Sequence, residues 1–292
     1  MNGYLKAEFN PLLSLCKVCL ALLKGLTIED FRDRTSLHQV IGLTDELLYY
    51  AHEVERNSSA EEDEVLASIL DDMDTVNSYH ARQIKNHWTH ARDSPAPRDQ
   101  DVYREGGNCT FIALAIQARL TKYVGMKLQR DPKILYAKRG RPLLDYALRP
   151  RRATPISMDY HSTRDEPNVD LGMVRMLLAH GADPNQPVQQ GYDGESVWAL
   201  FLLSIHETSK QDSHGIPTPQ SASTAWYQAC EALIMAGAQS DRKSTFVNDR
   251  GWLTTTRILR GIFSSAETTK LQELIEERAR ERDQSSSSCV LM

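Results

Sequence analysis

The sequence predicts an all-α protein in two parts, a bundle-like group of helices followed by a short α-solenoid of helix pairs with long insertions. Two observations carry this prediction. Apolar residues recur at three- and four-residue spacing through most of the chain, which is the period of an amphipathic helix. In addition, a helix followed by a glycine-centred loop occurs twice, as expected for a repeated structural unit.

The best-preserved example of this unit is residues 171–185. Val174, Leu177 and Leu178 fall at i, i+3 and i+4 and give one apolar helical face. Gly181 follows where a helix needs a left-handed residue to close its last carbonyls. Residues 183–185, Asp-Pro-Asn, then favour a turn because Pro cannot continue a helix and Asx side chains bond the backbone ahead. The stretch predicts a helix that ends in a chain reversal.

The overall composition is that of an ordinary soluble chain, with 41% apolar and 25% charged residues and a net charge of -5. No concentrated basic face is evident, so we expect no nucleic-acid partner. Arg149, Arg151 and Arg152 cluster, but Asp165 and Glu166 follow closely, which favours a solvated loop. Five scattered cysteines indicate a reducing compartment, and we predict a cytoplasmic protein.

Residues 1–92 are predicted to form a helical domain. Ser59 and Glu62 fit a capping box at the start of one helix, and an earlier helix is predicted from Thr44 to about Val54. Cys16 and Cys19 have zinc-ligand spacing, but no second pair completes a site, so they are predicted core residues. Residues 93–106 are rich in Pro and polar residues and are the predicted linker. The predicted inward faces are Leu12, Leu13, Cys16, Cys19, Leu20 and Leu23, then Leu47, Leu48, Ala51 and Val54, then Val65, Leu66, Ile69, Leu70, Met73 and Val76.

Residues 107–263 are predicted to hold four repeats, at about 107–139, 140–190, 194–241 and, in part, 250–263. Residues 110–115 and 141–147 both fit the start of a repeat, with Ala115 and Ala147 separated by 32 positions against a period of about 33. Leu177 and Leu233 are 56 positions apart, so roughly 20 residues are added to the period, in insertions at 149–167 and 206–224. The unit resembles an ankyrin repeat in degenerate form. The residues that define the repeats are Pro142, Leu143, Ala147, Val174, Leu177, Leu178, Gly181, Ala182, Asp183, Leu233, Gly237 and Ala238.

The C-terminal segment is predicted to be a capping helix over residues 264–283 and a flexible tail over 284–292. The last four residues, Cys289-Val290-Leu291-Met292, fit a prenylation box, and Cys289 is the candidate lipidation site. A single lipid chain anchors a protein only marginally, so we expect a modified chain to associate with membranes reversibly as a peripheral protein.

A second resemblance covers the N-terminal half. Residues 10–16, 48–51, 70–74 and 87–88 occur in the order seen in the helical segment that precedes degenerate ankyrin repeats in fungal NACHT-type NTPases. The chain has no G-x-x-x-x-G-K-[ST] phosphate loop, so the resemblance does not imply nucleotide hydrolysis here. It implies the helical-plus-ankyrin region of that family without its NTPase domain.

The function predicted from these patterns is a non-catalytic adaptor that binds another protein on its repeats. Stacked repeats give an extended concave surface, and no catalytic, cofactor or metal motif is recognised. One alternative is a regulatory fragment that competes with NACHT-type relatives. The other is an atypical enzyme or small-molecule binder with a pocket between the two halves; its candidate polar groups are His161, Asp165, Glu166 and His206.

Overall fold

The computed structural model describes residues 10–32, 34–83, 110–136, 141–149, 169–188, 195–211, 220–239, 246–248 and 251–288. Almost all of these residues are helical, which confirms the predicted all-α class, and one two-stranded antiparallel hairpin is added. The chain divides into two compact units, one containing the described residues up to 129 and the other those from 130 onward.

The first unit is built around three long helices that pack against one another. Helix α1 packs along α3 and also contacts α4, and α4 contacts α5. The capping interactions follow the sequence: the Asn10 side chain accepts from the amides of Leu12 and Leu13, and Ser59 and Glu62 form the predicted capping box. The helices are α1 (Pro11–Lys24), α2 (Ile28–Arg32), α3 (Arg34–Asn57), α4 (Ala60–Gln83), α5 (Phe111–Gln117) and α6 (Thr121–Arg130), the last reaching the unit boundary.

The core of the first unit matches the predicted faces closely. Leu12 and Val76 are only half-buried, and Val65 is exposed. Cys16 and Cys19 are buried free thiols, as predicted for core residues. The remaining predicted inward residues are buried: Leu13, Leu20, Leu23, Leu47, Leu48, Ala51, Val54, Leu66, Ile69, Leu70 and Met73.

The described part of the second unit contains six α-helices, which taken two at a time in chain order give three helix pairs whose members form two rows. In one row α7 contacts α9 and α9 contacts α11; in the other α8 contacts α10 and α10 contacts α12. The two strands lie between the second and third pairs. The elements are a 3₁₀ helix (Pro132–Tyr136), α7 (Leu143–Leu148), α8 (Leu171–Ala179), α9 (Val197–Gln211), α10 (Gln220–Met235), β1 (Phe246–Asn248), β2 (Gly251–Leu253), α11 (Thr255–Ile262) and α12 (Ser265–Ser288).

Local capping explains where several of these helices begin. Asp170 accepts from the amide of Met173 at 3.1 Å, and Thr254 accepts from that of Arg257 at 3.3 Å. Ser264 and Glu267 form a second capping box that the sequence analysis did not identify. Each of these helices therefore has a polar residue that satisfies amides left without an intrahelical partner.

Four helices, α3, α9, α10 and α12, are longer than predicted. Helix α3 begins at Arg34 and not at Thr44, since Gly42 costs only about 1 kcal/mol in a helix and no proline interrupts the segment. Helices α9 and α10 occupy most of the insertion predicted at 206–224, leaving 212–219 outside the described residues. Helix α12 runs through the serine run to Ser288, whereas a flexible tail was predicted from 284; extending a formed helix through serine costs only tenths of a kcal/mol per residue.

The division into units also differs from the predicted domains. Helices α5 and α6, predicted as the first repeat, belong to the same compact unit as α1–α4. Side chains of α3 and α4 hold α6 in place, as described below, and this accounts for the difference. The predicted linker, 93–106, and the predicted insertion at 150–167 lie outside the described residues.

Candidate functional site

The loop after α8 has the reversal that the sequence predicts. Gly181 has a φ of 91°, in the left-handed region that side chains other than glycine rarely adopt. The amide of Ala182 donates to the Leu177 carbonyl at 3.0 Å and that of Gly181 donates to Leu178 at 3.0 Å. This pair of bonds is a Schellman closure, and it satisfies carbonyls at the end of the helix.

The loop after α10 repeats this geometry. Gly237 has a φ of 92°, and the amides of Ala238 and Gly237 donate to the carbonyls of Leu233 and Ile234, both at 2.9 Å. Leu177 and Leu233 are each fully buried. The two loops are therefore the same local structure, formed at positions 56 residues apart in the chain.

Asn185 bonds these two loops to each other. Its Nδ2 donates to the Gly237 carbonyl at 3.0 Å, and its Oδ1 accepts from the Gln239 amide at 2.7 Å. Asp183 holds the backbone of Asn185 in the turn, because Asp183 Oδ1 accepts from the backbone amide of Asn185 at 2.8 Å. The side-chain amide of Asn185 thus satisfies one donor and one acceptor of the next loop. We call the two turns that it joins, residues 181–185 and 237–239, the loop edge.

Paired backbone also connects each second helix to the first helix of the following pair. Pro187 and Ser196 form an antiparallel bridge, and the Val188 amide donates to the Glu195 carbonyl at 2.8 Å. At the equivalent place after α10, β1 pairs with β2 in the register Phe246 to Leu253. Both connections therefore have hairpin geometry, which the helical periodicity of the sequence did not predict.

A shallow groove of about 420 Å³ adjoins the loop edge, between the end of α10 and the second half of α12. Met235 is half-exposed in it, and Arg278 donates to the Met235 sulfur at 3.3 Å and pairs with Glu281 at 2.6 Å. The groove offers an apolar side chain between charges of both signs, a combination suited to contact with a peptide surface. Its lining is Met235, Ala236, Gly237, Arg278, Glu281 and Arg282.

Two of the first helices, α7 and α9, expose little surface. All six residues of α7 are buried, and so are Val197 to Leu202 at the start of α9. Exposed residues of the second unit lie on its second helices and on the loop edge, and also at Arg257 and Arg260 of α11 and at Tyr136 before α7. The groove and the loop edge are therefore one of the accessible parts of this unit.

A buried charge cluster at α7 was missed in the sequence. The Asp145 carboxylate pairs with Arg149, whose Nε and Nη2 lie 2.8 and 2.7 Å from Oδ1, and with Arg141 through its other oxygen. All three residues are almost completely buried, so Arg149 does not belong to the predicted solvated loop. The i, i+4 spacing on both sides of Asp145 was the available signal. A buried, paired carboxylate of this kind serves the fold, because losing one partner leaves a costly charge.

Of the four candidate polar groups of the enzyme alternative, the structure describes only His206. His206 is buried within α9 with its ring beside Gly261 of α11, and it is not among the residues that line the groove. His161, Asp165 and Glu166 lie outside the described residues, as does Cys289. Within the described ranges, no group of three His, Cys, Asp or Glu side chains could hold a metal ion.

The structure also places the other residues predicted to define the repeats. Leu178 is half-buried beside Leu177, Ala182 is half-buried, and Asp183 is exposed in the turn that it stabilises. The remaining members are buried or cap a helix: Pro142 at the start of α7, and Leu143, Ala147, Val174 and Ala238 in the core.

Comparison of the chain with family models, with curated proteins and with solved structures finds no match. Among the helices that the structure describes, none is long and apolar enough to cross a membrane. The geometry of the second unit is therefore the principal guide to function.

Proposed function

We propose that this chain is a non-catalytic protein-interaction module, with residues 141–288 acting as degenerate ankyrin-type repeats. The observation that carries the proposal is the bonding of Asn185 to the backbone at Gly237 and Gln239. A side chain that bonds the equivalent loop of the next helix pair is what a stack of similar units requires, since each unit gains stability only from its neighbours.

Three further features support this proposal. The helices form two rows, two of the pairs end in the same glycine-centred closure, and hairpin-like connections join successive pairs. The order of a helical segment followed by helix pairs also agrees with the proposed resemblance to the region that follows the NTPase core in NACHT-type proteins. Under this proposal the partner is a protein, and it binds at the loop edge and the adjoining groove.

The test is a co-precipitation that uses the full chain and two matched charge variants. Met235→Glu places a carboxylate in the groove. Thr269→Glu adds the same charge at an exposed position of α12 that does not line the groove. We expect a partner that the wild-type chain and Thr269→Glu recover equally from extracts of the source cells. Recovery by Met235→Glu should fall about tenfold, the effect of losing roughly 1.4 kcal/mol of contact.

Two results would contradict the proposal. One is the absence of any partner that replicate experiments recover. The other is equal recovery of every partner by Met235→Glu and wild type, which would exclude the groove as the binding surface. Circular dichroism of both variants checks that the helices remain folded.

A further inference from the structure

Helix α1 carries an apolar stripe that the core of the first unit does not use. Leu15, Val18 and Leu22 are exposed by 40%, 54% and 52%, and they fall at i, i+3 and i+7, so they lie on one face. Of the eight large apolar side chains exposed in the described residues, these three belong to a single helix of 14 residues. Such clustering, in contrast to scattered exposure, is typical of an interaction surface.

The opposite side of α1 is already occupied. Cys16, Cys19 and Leu23 are buried against the rest of the unit, with the Cys16 sulfur 3.9 Å from the Leu47 carbonyl of α3. Lys24 pairs with Asp72 of α4 at 2.6 Å. At 100° per residue the exposed stripe lies next to the α3 side and away from the α4 side. Any occupant of the stripe therefore lies between α1 and the outer edge of α3.

The two borders of the stripe differ in chemistry. On the α3 side stands the exposed Glu46, which directly precedes Leu47, the residue whose carbonyl lies 3.9 Å from the Cys16 sulfur of α1. On the other side the stripe is bordered by Ser14 and Ala21, two small residues that allow a close approach of a helix backbone. One border thus carries a negative charge, and the other leaves room for the backbone of a neighbouring helix.

We propose that this stripe binds one amphipathic helix of a partner protein, with its apolar positions on Leu15, Val18 and Leu22 and its basic positions facing Glu46. The exposed stripe covers at most a few hundred Å², well below the roughly 800 Å² per partner of a stable dimer, so a single helix fits better than a second copy of the chain. Amphipathic helices that bind proteins carry their apolar anchors at i, i+3, i+4 and i+7, and Leu15, Val18 and Leu22 have the matching i, i+3 and i+7 spacing on α1. This surface is separate from the loop edge and does not depend on the repeats.

The experiment uses two fluorescent helical peptides of about 20 residues with the same leucine stripe. One carries lysine at the border positions and the other carries glutamate. Anisotropy titration of the full chain should give binding of the lysine peptide about tenfold tighter than that of the glutamate peptide, with the difference shrinking at high salt. Leu22→Gln should weaken binding of the lysine peptide at least tenfold, and the matched variant Lys17→Gln, on the far side of α1, should leave it within twofold.

Three results would overturn the inference. The first is binding of neither peptide, and the second is equal binding of the lysine peptide by wild type and Leu22→Gln. The third is self-association of the wild-type chain in sedimentation that Leu22→Gln abolishes, which would make a second copy the occupant. Leu22 is half-exposed, so its substitution leaves the core intact, and circular dichroism verifies this.

Discussion

The two units hold their turns in place by different chemistry. In the second unit a neutral side chain, Asn185, bonds the backbone of the next loop. In the first unit a carboxylate makes the equivalent contact. Glu55 of α3 accepts from the backbone amides of Lys122 and Tyr123 at the start of α6, at 3.1 and 2.8 Å. A neutral amide holds its loop at any pH, whereas a buried carboxylate makes the attachment of α6 depend on pH.

The Glu55 contact is reinforced by charges around it. Lys122 Nζ lies 3.0 Å from Asp63 Oδ2 and donates to Ser58 at 3.0 Å. Further along α6, Tyr123 donates to Asp71 at 2.9 Å, and Lys127 lies 3.0 Å from the same carboxylate. These contacts attach α6 to both α3 and α4, which explains why α6 belongs to the first unit.

The largest expected effect follows removal of the Glu55 carboxylate. Glu55→Ala leaves the buried amides of Lys122 and Tyr123 without their acceptor, and we expect a loss of about 1–3 kcal/mol in the free energy of unfolding of the first unit. Urea denaturation at about pH 4.5, before the buried carboxylate ionises, measures it. Glu53→Ala, on the same helix and paired with the exposed Arg56, is the control and should change stability by less than about 1 kcal/mol. Equal effects of the two variants would refute the assigned role of Glu55.

The second effect is the pH dependence of the same contact. Burial raises the pKa of Glu55 to about 6 from 4.5, so the folded state binds its proton more tightly than the unfolded state. The contribution of Glu55 to the free energy of unfolding is therefore most favourable below pH 4.5. About 2 kcal/mol of that free energy is lost as the pH rises through about 6. We expect Glu55→Gln to flatten stability against pH in this window, relative to wild type. Parallel curves for the two proteins would contradict this account.

The smallest effects concern the helix-closing residues. Arg119 follows α5 with a φ of 58°, in the left-handed region that Gly181 and Gly237 adopt after α8 and α10. Unlike those two residues, Arg119 carries a side chain. Arg119→Gly should relieve backbone strain and stabilise the first unit by up to about 1 kcal/mol. Gly237→Ala should destabilise the second unit by about 1 kcal/mol, since its Cβ would meet nothing within 4 Å and only the backbone conformation is penalised. The midpoint temperatures of thermal unfolding of the two variants test both predictions. Shifts of the same sign in the two variants would contradict them.

The sequence predicted those features that depend on neighbouring residues. Apolar spacing identified the buried faces, the Ser59 to Glu62 spacing identified a capping box, and Gly181 and Gly237 identified the helix closures. These signals are contained within one or two helical turns, so a single sequence is enough to recognise them.

The sequence did not predict features that join distant segments. Glu55 reaches amides 67 and 68 residues away, and Asn185 reaches a loop 52 to 54 residues away, with no local pattern that names the partner. The lengths of α9 and α12 also escaped prediction, because polar residues without glycine or proline are compatible with either a helix or a loop.

The central claim, that successive helix pairs of the second unit are bonded loop to loop, is tested most directly by amide hydrogen exchange at Gln239. Its amide donates to Asn185 Oδ1 at 2.7 Å, and Asn185→Ala removes this acceptor. We predict that exchange at Gln239 accelerates at least about tenfold in Asn185→Ala, equivalent to roughly 1.4 kcal/mol, while the helical amides of α5 exchange as in wild type. An unchanged rate at Gln239 would contradict the bonding of these loops and, with it, the repeat architecture proposed for this chain.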